Sequence, residues 1–452
     1  TGVRFRVTND DGEPLVEAAA VRKAPGGVEL EFPLAPAERF YGMGVRTGTP
    51  LDMRGQVIQT ERPFLISSMG YGEYYRGARE YVFDLGQGQA GQRLVTVRGG
   101  DSVDYFFYYG PSPKEILEEH VVLGAPGADL HSGDFGILEA GKVRADVARL
   151  PAPAEASWGA LRDSIHALMH AGWSATLAAA FDLGPYLGAD GELEERAAQL
   201  ASVAPVVWAS RSGGGGVRSK VSEVRKRLTP CFVEYAQEAR ERGFPMVRPL
   251  AMQFHTDSEA WKWPDEFMLG DELLVAPVSA PGGRRRVYFP RGLWTDWRSN
   301  RVYQSRQTVE IEAARDELPM FARNGSIVPV AGTRADEPLA LHYFPKLAAE
   351  FFILEEDLGD YTLLHAAPAL EVVRLEAESL KDRDYEWVVH HTGPCKRVAQ
   401  VDGPEYREAP SLGELKAGWW FYDRKPDNLH VRTRAKAGQD LIINVWLEVV
   451  WN

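Results

Sequence analysis

The sequence predicts a protein of several domains, in which an α/β region lies between β-sheet regions. Its 452 residues are enough for two to four domains. Residues 1 to about 120, and those after about 260, form short runs that alternate apolar and polar residues and end at turn residues, a pattern typical of β-strands. Between them, helical periodicity alternates with short apolar runs, which is typical of α/β units.

The stretch 228–279 predicts how these regions join. Its apolar residues first recur at steps of three and four, which predicts a helix that ends at Gly243. The apolar run 245–254 contains two prolines near its start and predicts a strand at a sheet edge. The run 267–278 predicts a hairpin that turns at Gly270. Helix, strand and hairpin in this order are typical of an α/β domain that leads into a β-domain.

The composition narrows the class of protein and its partners. Apolar residues make up 44% and charged residues 25% of the chain, which is ordinary for a soluble globular protein. A net charge of −13 argues against nucleic acid or an anionic membrane as the main partner. No apolar run approaches the roughly 20 residues that span a bilayer. Cys231 and Cys395 are the only cysteines, and without a CxxC we expect no structural metal and no cofactor.

A series of motifs then gives a resemblance. The clearest reads Phe-Met-Leu-Gly-Asp-Glu-Leu-Leu-Val-Ala-Pro-Val at 267–278. Others occupy residues 38–44, 51–56, 63–72, 104–117, 243–250, 287–297 and 318–329. In this order the motifs resemble glycoside hydrolase family 31, the α-glucosidase and α-xylosidase family. A single motif of this kind is not specific, but the series in the family's order is.

The resemblance implies a domain plan. It places an N-terminal β-sandwich at 1–120, a (β/α) barrel-like domain at 121–260, a proximal C-terminal β-domain at 261–345 and a distal C-terminal β-sandwich at 346–452. A complete (β/α)8 barrel takes about 250 residues, so the roughly 140 present here imply a truncated barrel. The shortfall falls at 124–136, a Gly-rich stretch where the family has its first strand–helix units. The later units follow, as helices at 158–171 and 192–203, strands at 175–186 and 205–208, and a flexible Gly/Ser loop at 210–216.

The motifs that carry the family's chemistry are lost or altered. A retaining glycosidase needs a nucleophile and an acid/base whose carboxyl groups are about 5 to 5.5 Å apart. The family's nucleophile motif has only a partial counterpart at 132–137, with Asp134 in the nucleophile's place. Pro153, or Ala152 in a shifted alignment, stands where the acid/base Asp is expected. In the motif that lines the sugar site, Trp208 and Ser210 replace Arg and His.

Six carboxylates of the predicted barrel-like domain could replace this pair: Asp134, Glu139, Asp146, Glu155, Asp163 and Asp182. Three of them are the candidates, and each also has a structural explanation. Asp134 fits a loop Asp in a Gly-rich turn. Glu155 fits a solvated residue just before a helix, where its charge suits the helix dipole. Asp182 ends a strand and fits a backbone hydrogen-bond acceptor. We therefore predict that no catalytic residues remain, and name these three as the positions to inspect.

Candidate sugar contacts come from an N-terminal loop, from a strand end and from aromatic rings. They are Asp52, Arg54, Asp182, Trp173 and Trp208. Tyr186 is a further ring of this kind, and core packing explains each aromatic residue equally well. His166 and His170 lie four residues apart on one predicted helix, a spacing typical of a metal pair, but without a third ligand we predict no metal.

These observations predict a catalytically inactive family 31 relative that acts as a structural, interaction or carbohydrate-binding subunit. A barrel that lacks units exposes strand edges and apolar helix backs, so we expect a covering by another copy, by other protein subunits or by the chain's own β-domains. A homo-oligomer or a larger assembly is therefore predicted. The alternative is an active, retaining α-glycosidase whose missing barrel half or acids are supplied elsewhere.

Overall fold

The computed structural model describes residues 3–9, 11–123, 130–176, 178–334 and 336–448. Most of the Gly-rich stretch where the sequence predicts the barrel to be shortened, 124–129, lies outside the described residues. The described chain is mostly β-sheet in several regions, as predicted. Its α-helices fall between residues 113 and 253. Among the described residues, every helix is too short or too polar to pass through a lipid bilayer.

The N-terminal region consists of two antiparallel sheets that share one apolar core. The first sheet has the strand order 1-2-3-9-8-5 and the second 10-7-6-4. The strands are β1 (Val3–Thr8), β2 (Pro14–Ala24), β3 (Gly27–Pro33), β4 (Phe40–Gly42), β5 (Val57–Thr60), β6 (Phe64–Ser67), β7 (Tyr71–Arg76), β8 (Glu80–Asp84), β9 (Gln92–Arg98) and β10 (Asp104–Tyr109).

Helix α1 (Pro113–Val122) leads out of this region. Its first turn is closed by a capping box, in which the Ser112 hydroxyl accepts from the Glu115 backbone N–H and the Glu115 carboxylate accepts from the Ser112 N–H. The Lys114 ammonium donates to the Asp271 carboxylate at 2.7 Å, which fixes the helix to the hairpin that follows the α/β part.

The described part of the α/β unit contains four parallel strands and three helices. The strands are β11 (Ile137–Glu139), β12 (Ala148–Arg149), β13 (Ala179–Asp182) and β14 (Val206–Ala209), in the order 11-14-13-12. The helices are α2 (Trp158–Trp173), α3 (Gly191–Val203) and α4 (Gly215–Arg242). Helix α2 connects β12 to β13 and α3 connects β13 to β14, so each crossover joins parallel neighbours. The two edge strands are the shortest or nearly so, which limits the open edge.

Several elements differ from the sequence prediction. The strand predicted at 175–186 is limited to β13, because Gly184 and Pro185 turn the chain into a 3-10 helix. The helix predicted from residue 228 begins at Gly215, so the predicted loop at 210–216 is shorter. The start follows Gly214, whose φ of 64° is accessible to glycine without strain. At its end, Gly243 has a φ of 75°, which confirms the predicted stop.

The apolar run 245–254 is also corrected. Only β15 (Val247–Pro249) is extended, and the chain then forms the short helix α5 (Leu250–Gln253). Pro249 provides no backbone N–H to continue a sheet ladder, and a fixed φ suits the residue before a helical turn. The hairpin predicted at 267–278 is confirmed, since β16 (Phe267–Leu269) and β17 (Leu273–Val275) pair around Gly270.

The remaining chain forms β-sheets, and the predicted boundaries at 120, 260 and 345 stay predictions. β15 to β17 join a sheet of order 15-16-17-22-19-20 beside the pair 18-21, and later strands form sheets of order 23-24-28-32-31-30 and 25-26-27-33-29. The strands are β18 (Arg284–Phe289), β19 (Leu293–Asp296), β20 (Val302–Gln304), β21 (Gln307–Glu312), β22 (Met320–Arg323), β23 (Ser326–Val330), β24 (Leu339–Phe344), β25 (Ala349–Glu355), β26 (Asp360–Pro368), β27 (Val372–Ser379), β28 (Arg383–His390), β29 (Cys395–Gln400), β30 (Arg407–Glu408), β31 (Trp419–Asp423), β32 (Asn428–Ala435) and β33 (Gln439–Leu447).

The chain's own C-terminal sheets cover helix α4. This helix packs against β23 and β25, and the apolar core runs without interruption from the α/β unit into these sheets. The Tyr235 ring meets Phe351 edge-on at 6.4 Å, and the buried Cys231 thiol donates to the Pro329 carbonyl at 3.2 Å. The sequence predicts that apolar helix surfaces are covered by another copy, by other subunits or by the chain's own β-domains. For α4 the cover comes from the chain's own β-sheets.

A buried arginine joins the parts of the α/β unit. Arg225 on α4 is 1% exposed, and its guanidinium donates to the carbonyl oxygens of Phe135, Ala201, Ala204 and Pro205. Burial lowers the pKa of Arg225 to about 9, and no carboxylate is among these four partners. The side chain thereby ties the turn before β11 to the end of α3 and the start of β14.

Candidate functional site

The first candidate site is the edge of the α/β unit where its parallel strands end. Functional groups of parallel sheets gather at the C-terminal strand ends, because loops from neighbouring strands meet there. The last residues of β11, β12, β13 and β14 are Glu139, Arg149, Asp182 and Ala209. Glu139 and Asp182 are thus the carboxylates that terminate described strands at this edge.

These two carboxylates do not face each other. β14 lies between their strands, and two steps of about 4.8 Å place their backbones roughly 10 Å apart. Glu139 is aligned with Ala209 of β14, whereas Asp182 is aligned with the preceding residue, Trp208. Because side chains alternate along a strand, Glu139 and Asp182 point to opposite faces of the sheet. Glu139 is also exposed to solvent.

The Asp182 carboxylate is hydrogen-bonded to the backbone. It is 3% exposed, and its Oδ1 accepts from the N–H of Gly184 and from the N–H of Ser210, both at 2.9 Å. These bonds clamp the turn after β13 onto the end of β14. The turn has no space for a side chain at Gly184, where a Cβ would lie 2.6 Å from the Ser210 nitrogen. These contacts give both Asp182 and Gly184 a structural role in this turn.

The aromatic residues near the strand ends are part of the core. Trp208 is 9% exposed, and the Arg149 guanidinium carbon lies 5.0 Å from its ring centroid. Tyr186 is fully buried, stacks on Phe181 at 5.8 Å and lies within 3.2 Å of the Ser164 hydroxyl. Neither ring presents a face on which a sugar could stack in this arrangement.

Asp134 lies at the opposite edge of the sheet from Asp182. It belongs to a 3-10 turn that precedes β11, so it is on the N-terminal side of the strands. Its Oδ2 accepts from the His131 N–H at 3.0 Å and lies 3.9 Å from the Arg144 guanidinium. The structure therefore does not bring Asp134 and Asp182 together.

Glu155 lies in the loop between β12 and α2, and its side chain is exposed. Pro153 and Ala152 are in the same loop. Helix α2 begins three residues after Glu155, and the hydroxyl of the preceding Ser157 accepts from the Ala160 N–H at 3.1 Å and caps the helix. This placement matches a solvated residue that precedes a helix.

The N-terminal loop residues Asp52 and Arg54 first stabilise their own loop. Asp52 Oδ1 accepts from the backbone N–H of Arg54 at 3.0 Å and of Phe40 at 3.3 Å. Arg54 donates to the carbonyl oxygens of Ala35 and Glu38 at 2.7 and 2.6 Å. Asp52 also borders a cleft, described next, to which Arg54 does not contribute a lining side chain.

The second candidate site is a cleft of about 530 Å³ beside helix α2, which we call the α2 cleft. It lies between the loop 48–52, the face of α2 that carries Asp163, His166 and Trp173, and the segment 249–264. This face is turned away from the parallel sheet, against which α2 packs Leu161, Ile165 and Leu168. Asp182 and Trp208 do not line the cleft.

Aromatic rings form one wall of the α2 cleft. Trp173, which is 1% exposed, stacks on Tyr41 at 4.7 Å and on Trp261 at 5.7 Å. Trp263 stacks on Tyr288 at 5.9 Å with nearly parallel rings. Trp261 and Trp263 are each only partly buried, so part of each ring borders open space.

Polar groups share the cleft with these rings. Asp163 and His166 make no side-chain hydrogen bond within the described part of the chain, and burial lowers the pKa of His166. One turn further, His170 Nε2 donates to the Thr49 carbonyl at 3.2 Å, and burial lowers the pKa of His170 to about 4. Both imidazoles are therefore neutral at pH 7. No grouping of three or more His, Cys, Asp or Glu with metal-binding geometry occurs among the described residues.

The sequence prediction missed most of this cleft. It names Trp173 and Asp52 as sugar contacts and Asp163 among the carboxylates of the α/β region, but it does not name Tyr41, Trp261 or Trp263. The available signal was the pair Trp261-Lys-Trp263 in an otherwise polar turn, where two large rings have no strand or helix to bury them. The ring partners of Trp261, which are Trp173 and Tyr41, lie about 90 residues or more away in sequence, and no local pattern connects them.

Comparison with known proteins gives a family match for part of this arrangement. Residues 243–328 match the profile of the glycosyl hydrolase family 31 C-terminal domain. This stretch of the chain is therefore similar to the C-terminal domain of glycoside hydrolase family 31.

Curated relatives match parts of the chain. It is 34% identical over 113 residues to an alpha-glucosidase of Saccharolobus solfataricus, covering 25% of this chain and 16% of that protein. It is 28% identical over 223 residues to alpha-glucosidase 2 of Bacillus thermoamyloliquefaciens, covering 45% of this chain and 28% of that protein. The matched segments thus span less than a third of the length of these relatives.

Solved structures share the fold. A Flavobacterium johnsoniae GH31 dextranase complexed with glucose superposes with a TM-score of 0.83 at 15% identity, covering 98% of this chain and 88% of that chain. The cycloalternan-forming enzyme from Listeria monocytogenes superposes with a TM-score of 0.84 at 15% identity, covering 98% of this chain and 69% of that chain. At this identity the likeness concerns the fold.

Proposed function

We propose that this chain is a catalytically inactive member of glycoside hydrolase family 31 that acts as a structural, interaction or carbohydrate-binding subunit. The observation that carries the proposal is the orientation of Glu139 and Asp182 at the strand ends, on opposite faces of the sheet. A retaining mechanism needs two carboxyl groups about 5 to 5.5 Å apart, facing one sugar. Without a placed nucleophile there is no covalent intermediate, and without an acid the leaving group is not protonated.

The rest of the α/β unit supports the same proposal. In this interpretation its four parallel strands stand in place of the eight of a complete barrel, whose closed ring forms the pocket. The residues that remain at the strand ends have structural tasks, since Asp182 holds two backbone amides and Arg149 covers Trp208. We further propose that a second copy of the chain or another protein subunit covers the rest of the α/β unit. The chain's own C-terminal sheets cover α4.

Hydrolysis of p-nitrophenyl α-glucoside and α-xyloside by the purified chain tests the proposal. We expect release of nitrophenol at the rate of the buffer, and the same result for Asp182→Asn, Glu139→Gln and Asp134→Asn. Turnover by the unmodified chain that any of these substitutions abolishes would refute inactivity. Turnover that appears only after a second protein is added would instead favour the alternative, an α-glycosidase completed by another chain.

A further inference from the structure

The geometry points to the α2 cleft as a binding site for a short neutral oligosaccharide, remote from the strand ends. This inference rests on the carbohydrate-binding form of the proposed function and gives it a location. The cleft volume of about 530 Å³ falls within the roughly 300 to 1,000 Å³ typical of small-molecule sites. Its walls come from the N-terminal sheets, from α2 and from the segment after β15.

The aromatic wall is held in place before any ligand binds. Trp173, Tyr41 and Trp261 are in mutual contact, with ring centroids 4.7 to 5.7 Å apart, so the partly exposed Trp261 ring rests on two buried rings. Trp263 is held by Tyr288, whose hydroxyl donates to the Asp257 carboxylate at 2.7 Å. The apolar C–H face of a pyranose packs on rings of this kind, and rings that are already fixed lose little conformational entropy on binding.

The polar groups of the cleft match hydroxyl groups. The Asp163 carboxylate accepts hydrogen bonds, the Lys262 ammonium donates them, and the neutral His166 imidazole can do both. The Trp263 indole N–H is a buried donor without an acceptor in the described part of the chain, which a ligand oxygen would satisfy. With Asp52 and Asp163 against one lysine, the cleft offers no excess positive charge for a phosphate or carboxylate ligand.

The position of the cleft separates this site from the strand ends. His166 and Asp163 lie on the face of α2 opposite to the sheet, whereas Asp182 and Ser210 lie at the strand ends. A sugar bound in the cleft therefore contacts neither of the carboxylates that end β11 and β13. This arrangement accounts for binding in a chain without hydrolysis.

Calorimetric titration of the full chain with maltotriose and with isomaltotriose tests the inference. We expect saturable binding of at least one of them, weakened roughly tenfold or more by Trp261→Ala and by Trp263→Ala, because each removes a stacking face. Trp263→Phe keeps a ring but loses the N–H, and we expect a loss of about threefold. Trp419→Ala, on β31 in the distal sheets, is the matched control and leaves the dissociation constant unchanged.

The controls make the outcome decisive. His166→Gln changes a partly exposed polar residue with little risk to folding and is expected to weaken binding roughly threefold. No saturable heat with either sugar up to about 20 mM overturns the site, as does wild-type affinity in both tryptophan variants. Loss of binding in Glu139→Gln, with unchanged binding in both tryptophan variants, also overturns the proposed site, because it would show that the sugar binds at the strand ends. Because hydrolysis is measured separately, failure of this site leaves the test of inactivity intact.

Discussion

The strand ends of the α/β unit and the α2 cleft contain the same kinds of residue but differ in what those residues contact. At the strand ends, the Asp182 carboxylate accepts two backbone N–H groups and Trp208 is covered by Arg149. In the cleft, Asp163 and His166 have no hydrogen-bond partner among the described side chains, and Trp261 and Trp263 border open space. One oxygen of the Asp182 carboxylate thus holds the backbone, and the side chain is buried, whereas the cleft residues border open space.

This difference teaches that a carboxylate at a strand end need not be a functional residue. Asp182 and Gly184 are both needed for one turn, since the first accepts the Gly184 N–H and the second avoids a clash with Ser210. Conversely, the residues of the α2 cleft belong to no catalytic motif, and yet their side chains line an open cleft.

The largest effect is expected for Arg225→Met, because the unit behind the strand ends depends on this side chain. The substitution leaves four buried carbonyl oxygens without their donor, and we expect a loss of about 3 to 5 kcal/mol in the free energy of unfolding. Urea unfolding measures it. The exposed neighbour Arg227→Met is the control, with a change within about 0.5 kcal/mol. A similar small change for Arg225→Met would contradict the structural assignment.

Removal of the Asp182 carboxylate should lower the free energy of unfolding strongly, whereas replacement by the isosteric Asn should lower it only a little. Asp182→Ala leaves the N–H groups of Gly184 and Ser210 unsatisfied, and we expect a loss of about 2 to 4 kcal/mol. Asp182→Asn keeps an oxygen for both N–H groups, and its loss should stay near about 1 kcal/mol. In the cleft, Asp163→Ala is expected to change stability by less than about 0.5 kcal/mol. Equal losses for Asp182→Ala and Asp182→Asn would show that the backbone clamp is not the role of this residue.

The buried His170 on helix α2 should make the stability of the chain sensitive to acid. Burial lowers the pKa of His170 to about 4, from an ordinary value of 6.5. The unfolded chain takes up this proton below about pH 6.5, whereas the folded chain does not until about pH 4, so the stability contribution is complete above pH 6.5 and is lost as the pH falls. When the pH is lowered from 7 to 4.5, the free energy of unfolding of His170→Gln should fall by about 2 kcal/mol less than that of the unmodified chain. Identical pH profiles for both chains would contradict a buried, neutral His170.

The smallest effect is expected for Pro153→Asp, which restores a carboxyl group near the position of the family's acid. Because no nucleophile faces this loop at about 5 to 5.5 Å, we expect no turnover of p-nitrophenyl α-glucoside. The substitution lies in a loop whose residues are mostly exposed and should leave the unfolding midpoint nearly unchanged. Turnover by this variant alone would show that a second acid is already in place.

The sequence was sufficient where local patterns determine structure. The helices near 158–171 and 192–203 and the hairpin around Gly270 follow from periodicity and turn residues, and the structure confirms them. The start of α4 was missed because residues 217–227 are rich in charge, and their helix is stabilised by Val221 and Arg225 packing beneath it. The α2 cleft was missed because its walls come from three distant segments, which only the packed fold brings together.

The absence of a working carboxylate pair is tested most directly by attempting to trap a glycosyl–enzyme intermediate. The purified chain is incubated with 5-fluoro-α-D-glucosyl fluoride, a reagent that accumulates the covalent intermediate of retaining α-glucosidases, and its intact mass is measured. An inactive relative keeps its unmodified mass. A single added fluoroglucosyl group, located by peptide mapping on Asp182, Glu139 or Asp134, would contradict the proposal.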